Sequence, residues 1–169
     1  MKGGRMLENS DFVRMIGLYP ECREAFTLQQ DWDNEGAFQK LICIRDHIPK
    51  ELYGSCLHYL YIEDIEGVKI DTIKKAFQGV DKQDIMIRED LEMFEALPSI
   101  LTIYRGSQDF NETKPRISWS LSLEVAKAFG SAHLFKSVIN KDDVVAYISK
   151  NTGEEEIVAF VNDNYEVLY

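Results

Sequence analysis

A chain of 169 residues is long enough to bury a hydrophobic core without metal or disulfide staples, and short enough for one domain. Its 45% hydrophobic and 28% charged residues are the composition of an ordinary globule, which excludes a disordered or low-complexity chain. A net charge of −10 argues against a nucleic-acid coat or a membrane-surface binder, because phosphates would be repelled.

The first 98 residues read as helical. Ser10 and Asp11 can cap a segment whose apolar positions Phe12, Met15, Ile16 and Tyr19 follow helical spacing, with Pro20 as its end. After Asp33 and Asn34, the residues Phe38, Leu41, Ile42, Ile44 and Ile48 make a broad apolar face closed by Pro49. Leu52, Tyr53, Cys56, Leu57 and Leu60 form the next stripe. Asp71 to Phe77 and Asp90 to Leu97 predict two more helices, the second stopped by Pro98.

From Ser99 the texture changes. Ile100 to Tyr104 is a β-rich run ending at Arg105-Gly106, and Ile117 to Leu121 is a second short strand. Ser122 caps a short helix carrying Val125, Ala126 and Phe129, with Gly130 as its stop. Strands are then expected at His133 to Ile139, Val144 to Ile148 and Glu156 to Val161, with a last one at Tyr165 to Tyr169. The Asp109 to Lys114 stretch and Asn151-Thr152-Gly153 read as surface loops. Helices followed by a run of short strands indicate an α+β fold, read as one domain over 1–169, with a helical region at 1–98 and a mixed or antiparallel β core at 99–169.

Cys22, Cys43 and Cys56 are an odd number without CxxC spacing, which fits neither a disulfide framework nor a structural zinc site. The basic start, Met1 to Arg5, is not followed by the apolar stretch of a signal peptide, and no apolar run approaches the roughly 20 residues needed to cross a bilayer. A cytoplasmic protein without membrane association is expected.

His47, His58 and His133 are scattered, so no metal is expected, and His58 beside an apolar stripe reads as structural. P-loop, GxGxxG and GxSxG motifs are all missing. Three short elements remain. Tyr104-Arg105-Gly106 places a cation at a strand end beside a glycine whose backbone can approach a ligand. Ser118-Trp119-Ser120 puts two hydroxyls on one strand face, and Glu154 and Glu156 share a face where a loop enters a strand. A fixed cation, two hydroxyls and two carboxylates suit an anionic, ribose-bearing ligand. Taken singly, the three also read as a turn, a strand with a buried Trp and a solvated loop.

In order, these elements resemble those of the ADP-ribosyltransferases of the arginine–serine–glutamate class. Tyr104-Arg105-Gly106 is similar to the family's first-strand arginine, and Ser118-Trp119-Ser120-Leu121 to its Ser-Thr-Ser strand, in the form found in compact bacterial and phage members. Val125 to Phe129 resembles the short helix ending in Phe, and Glu154-Glu155-Glu156-Ile157-Val158 the Glu-x-Glu motif. The similarity spans roughly Ile100 to Val161. Trp119 stands where the family usually has Thr, and the Arg-to-Ser spacing is shorter than in the large binary toxins, as in a pared-down member.

The resemblance implies an ADP-ribosyltransferase-type fold and an enzyme that uses NAD as substrate, without metal, and releases nicotinamide. Arg105 would hold a phosphate and brace the pocket, and Gly106 would bond the nicotinamide carboxamide through its backbone. Ser118 would orient Glu156, Ser120 would support the strand and ribose, and Phe129 would either stack on nicotinamide or pack under the short helix. Glu156 would stabilise an oxocarbenium-like transition state, the electrostatic logic of glycosidases. Glu154 would face the acceptor, and a Glu at that position implies arginine. The expected partner is therefore a protein acceptor, with nucleic acid and membrane not expected. The alternatives are an NAD glycohydrolase using the same site, an inactive binding or inhibitor module, against which the intact Arg105, Ser118 and Glu156 argue, and, last, a helical adaptor working through Met1 to Pro98, whose apolar stripes read as core faces rather than exposed grooves.

Overall fold

The computed structural model describes residues 6–112, 114, 116–149 and 154–169. The basic start at Met1 to Arg5, Thr113 of the first expected loop and the Asn151-Thr152-Gly153 loop lie outside the described residues. The chain divides into two compact units, Met1–Leu91 and Glu92–Tyr169. The sequence changes texture at Ser99, but the boundary falls earlier, inside the helix Arg88–Ala96.

The first unit is helical: α1 (Asn9–Leu18), α2 (Pro20–Gln30), α3 (Asn34–Ile44), a 3-10 turn (Arg45–His47), α4 (Lys50–Glu63), α5 (Ile70–Phe77) and α6 (Lys82–Ile85), with α7 (Arg88–Ala96) crossing the boundary. The N-cap position of α1 belongs to Glu8, so Ser10 and Asp11 lie inside the first turn rather than capping it. Pro20 ends α1 and also opens α2, where its missing N–H costs nothing. The sequence does not predict α2, because its buried residues, Cys22, Ala25 and Gln29, carry little hydrophobic signal. Asp33 caps α3, its Oδ1 accepting from the Gly36 N–H at 2.8 Å.

Helix α4 contacts α1, α2, α3 and α6, and its burial extends beyond the expected stripe to Gly54, Ser55, His58 and Tyr61. His58 is structural. Its side chain is fully buried with Nδ1 2.8 Å from the Ile85 carbonyl, and burial pushes the imidazole down to about 4, which keeps it neutral. The three cysteines are free thiols, Cys22 and Cys56 buried and Cys43 exposed.

The second unit is β1 (Ile100–Ser107), β2 (Ser118–Ser120), α8 (Leu123–Phe129), β3 (His133–Asn140), a 3-10 turn (Lys141–Asp143), β4 (Val144–Ile148), β5 (Glu156–Ala159) and β6 (Glu166–Val167). The six strands form one sheet in the order β4-β5-β2-β1-β3-β6, and every described pairing is antiparallel. The architecture is α+β. β1 runs beyond Tyr104 to Ser107, because it pairs with β3 along its whole length, from Ile100 opposite Asn140 to Ser107 opposite His133. Ser122 caps α8 as expected, accepting from the Val125 N–H at 3.3 Å, and Gly130 ends it. The core of this unit holds Leu101, Ile103, Trp119, Leu134, Phe135, Ala146, Tyr147 and Ile157. No described helix is long and apolar enough to cross a membrane.

Candidate functional site

The geometry begins with alternation along β1. Leu101, Ile103, Arg105 and Ser107 share one face of the strand, and Leu101, Ile103 and Ser107 are buried. Arg105 therefore stands in the strand rather than at its end, with its side chain only 17% exposed. A desolvated guanidinium needs a counter-charge, and Glu112 supplies it. Arg105 Nε donates to Glu112 Oε1 at 2.8 Å and Nη2 donates to Oε2 at 3.2 Å. Nη1 donates to the Ser118 carbonyl at 3.0 Å, which ties the β1 side chain to the β2 backbone. Among the described residues these bonds engage three of the five N–H donors of the guanidinium.

The segment after β1 is folded to deliver Glu112. The Asp109 N–H donates to Ser107 Oγ at 3.1 Å and the Asn111 N–H to Asp109 Oδ1 at 2.8 Å, turning the chain back so that Ser107 Oγ also donates to Glu112 Oε2 at 2.7 Å. Burial by itself would raise the Glu112 carboxyl. The hydrogen bonds from Arg105 and Ser107 outweigh it and hold the group below the usual carboxylate range.

Beside this pair opens a cleft of about 390 Å³, lined by β1, β2, α8, the Gln108-Asp109 turn and the start of β5. It brings together every residue that the sequence proposes for a site: Arg105, Gly106, Ser118, Ser120, Phe129, Glu154 and Glu156. Glu155 does not line it; this residue is exposed and its carbonyl accepts from the Leu121 N–H at 3.2 Å. Val125, Ala126 and Phe129 give the cleft an apolar wall along α8. Phe129 is 49% exposed, so packing under the helix falls to Ala126 and the Phe129 ring is left at the cleft.

Three details differ from the sequence reading. Gly106 lacks a side chain for a packing reason: a Cβ there would lie 1.9 Å from the Ala126 carbonyl oxygen and 2.5 Å from the Gly130 nitrogen. It lets α8 close onto β1, and the glycine is required whether or not a ligand approaches. The strand register sets Ser120, not Ser118, directly opposite Glu156, while Ser118 faces Val158. Directly opposed side chains stand about 5 Å apart at Cβ and diagonal ones about 7–8 Å, so the register sets the Ser120 Cβ nearer to Glu156 than that of Ser118. Ser120 also turns the chain into α8, its Oγ accepting from the Ser122 N–H at 3.0 Å. Finally, Arg105 is not a free cation. Glu112 is bound to it, and among the described residues that line the cleft the acids are Asp109, Glu154 and Glu156.

Glu112 and Ser107 are the site residues that the sequence reading missed. The signal was the parity of Arg105 with Leu101 and Ile103, which buries the guanidinium and calls for a nearby carboxylate. Among the described residues no cluster of His, Cys, Asp or Glu is arranged to hold a metal ion. The chain matches no family model, no curated protein and no solved structure, so the functional reading rests on the cleft itself.

Proposed function

We propose that the cleft binds NAD and that the protein is a mono-ADP-ribosyltransferase, moving ADP-ribose to an arginine side chain of a protein acceptor. One observation carries the reading: residues from four separate segments, Arg105, Ser118 with Ser120, Phe129, and Glu154 with Glu156, converge on a single cleft. Its volume of about 390 Å³ is within the range of small-molecule sites, and a helical region followed by a six-stranded antiparallel sheet suits an ADP-ribosyltransferase-type fold.

In this reading the glycosidic bond from ribose C1′ to nicotinamide breaks, the bonding pair leaving with nicotinamide. The ribose then carries developing positive charge, which the Glu156 carboxylate stabilises while accepting a hydrogen bond from the 2′-hydroxyl. An acceptor nitrogen bonds to C1′ and loses a proton, with Glu154 placed to orient it and take that proton. Phe129 offers its ring to the nicotinamide. Arg105 acts first as a brace for β1, β2 and the Glu112 turn, and offers the N–H groups that these bonds do not engage to a phosphate of NAD. Carboxylates at Glu154 and Glu156 suit both the cationic transition state and a guanidinium acceptor.

The test is incubation with NAD labelled in its adenylate half, with and without a host lysate, following nicotinamide release and protein labelling together. Labelled protein with stoichiometric nicotinamide supports the transferase. Release without labelled protein would make water the acceptor, and no release at saturating NAD would refute the reading.

A further inference from the structure

A second site lies in the helical unit. Phe12 and Ile16 of α1, Phe26 of α2, Trp32 just after it, and Tyr59 and Glu63 of α4 line a groove of about 660 Å³, with Asp64 at its end. The rings are in mutual contact: Phe12 meets Phe26 edge-on with centroids 6.1 Å apart and lies tilted against Tyr59 at 4.6 Å. The Tyr59 hydroxyl is fixed by donating to Asn9 Oδ1 at 2.7 Å.

Trp32 is the informative residue. The Trp32 N–H donates to the Gln29 carbonyl at 3.0 Å and the Asp33 N–H to the Leu28 carbonyl at 2.8 Å, the paired closure of a helix C-terminus. The residue in the middle of that closure must be left-handed, and Trp32 has φ 66°. Glycine takes this conformation without a steric penalty; a bulky aromatic does not. The indole is also 87% exposed. Both features work against folding stability, and neither gains anything from the core. As one wall of an aromatic groove, however, the indole presents a flat π face to a ligand.

The charged residues of the groove are both acids, Glu63 and Asp64. Asp64 is held by uncharged donors, the Asn34 amide on Oδ2 at 3.0 Å and the Glu66 N–H on Oδ1 at 2.8 Å, and no described cation pairs with it. Aromatic faces beside carboxylates are the chemistry that recognises an organic cation. We propose that this groove binds a basic side chain, arginine or lysine, presented by a partner polypeptide. Its cation would lie over the rings of Trp32, Phe12 and Tyr59, with Glu63 and Asp64 as counter-charge. The site makes no use of the NAD cleft and stands whether or not the transferase reading holds.

The test titrates capped tripeptides carrying arginine, lysine or the neutral isostere norleucine between two alanines into the full chain. The indole N–H signal of Trp32 is followed by NMR. The arginine and lysine peptides are expected to shift that signal saturably, at least about tenfold more tightly than norleucine, and to weaken as salt is raised. Trp32→Gly is the decisive variant. Because glycine relieves the left-handed strain, its melting temperature should equal or exceed that of the parent, while affinity for the basic peptides, read by calorimetry in parent and variant because the variant lacks the indole, falls at least about tenfold. Glu63→Gln should weaken the basic peptides and leave norleucine unchanged. Equal binding of norleucine, no shift of the Trp32 signal with any peptide, or undiminished affinity in Trp32→Gly would overturn the proposal.

Discussion

In the helical unit the buried side chains of Gln29 and Tyr53 are satisfied by main-chain carbonyls near helix ends, whereas in the β unit the Arg105 guanidinium is satisfied chiefly by another side chain, Glu112. Gln29 Nε2 donates to the Leu60 and Asp64 carbonyls, both at 2.9 Å, and the Tyr53 hydroxyl to the Ala76 carbonyl at 2.9 Å. These acceptors lie at the ends of α4 and α5, where carbonyls run out of helical donors; the Leu60 carbonyl also accepts from the Asp64 N–H, at 3.4 Å. Along β1 the ladder uses the main-chain groups, so a desolvated guanidinium has to find a carboxylate from a loop. The lesson is that the buried Gln29, Tyr53 and His58 of the helical unit are neutral and structural. In the β unit the Arg105–Glu112 pair is ionic, sits beside the cleft, and responds to pH and to charge removal.

The largest expected contrast is catalytic. Glu156→Gln should lower nicotinamide release by about 10²–10³-fold, the usual cost of removing one transition-state-stabilising group, with little change in melting temperature. Glu24→Gln, an exposed acid of the helical unit paired with Lys40, should leave release unchanged. Glu154→Gln should suppress protein labelling while sparing nicotinamide release, and Glu155→Ala should be tolerated in both assays, because its side chain does not line the cleft.

Next comes the ion pair. Glu112→Ala leaves the Arg105 guanidinium buried without its carboxylate and should cost on the order of 3 kcal/mol in urea unfolding. Arg105→Met combined with Glu112→Leu should recover most of that loss, since no charge is then stranded. The pH dependence has a definite sign. The folded carboxyl of Glu112 titrates below its unfolded value of 4.5, so its contribution is complete above that pH and is lost as pH falls through the lower folded value. The double variant should lack this component of acid sensitivity.

His58 tests the neutral side of the contrast. Between its ordinary 6.5 and its folded value of about 4, the unfolded imidazole binds a proton that the folded one does not. Stability should therefore fall as pH drops through that window, by up to about 3 kcal/mol, and flatten below it. Urea midpoints measured from pH 7.5 to 4 should show this slope in the parent, and His58→Gln should flatten it. A parent without the slope would mean that His58 is charged in the fold.

The smallest effects compare the two helix caps. Asp33→Ala should cost about 1 kcal/mol, because Asp33 makes a short bond to Gly36 and places a negative charge at a helix N-terminus. Ser122→Ala should cost about half as much, since its bond to the Val125 N–H is 3.3 Å and neutral. Thermal unfolding of the two variants side by side measures the difference.

Strand alternation made much of the β unit legible in the sequence. Period two placed Ser118 with Ser120 and Glu154 with Glu156, and the cap and stop residues of α8 marked its limits. Glu112 was not legible, because a loop residue that folds back onto a strand leaves no periodic trace. Ser120 opposite Glu156 was hidden for a related reason: alternation gives the face of a side chain, and only the pairing register gives its neighbour. In the helical unit α3 and α4 followed their apolar stripes, whereas α2 buries small and polar residues and left a weak one. The left-handed Trp32 carried no warning, since glycine is the residue that normally marks such a position.

The most direct measurement is a crystal structure of Glu156→Gln with NAD, a variant that should retain the bound substrate. NAD is expected in the cleft between β1, β2 and α8, with the nicotinamide ribose 2′-hydroxyl within hydrogen-bond distance of residue 156. The nicotinamide should lie against Phe129, and the Arg105–Glu112 pair should remain intact beneath a phosphate. NAD bound elsewhere, or an empty cleft at saturating NAD, would contradict the assignment of this cleft as the transferase site.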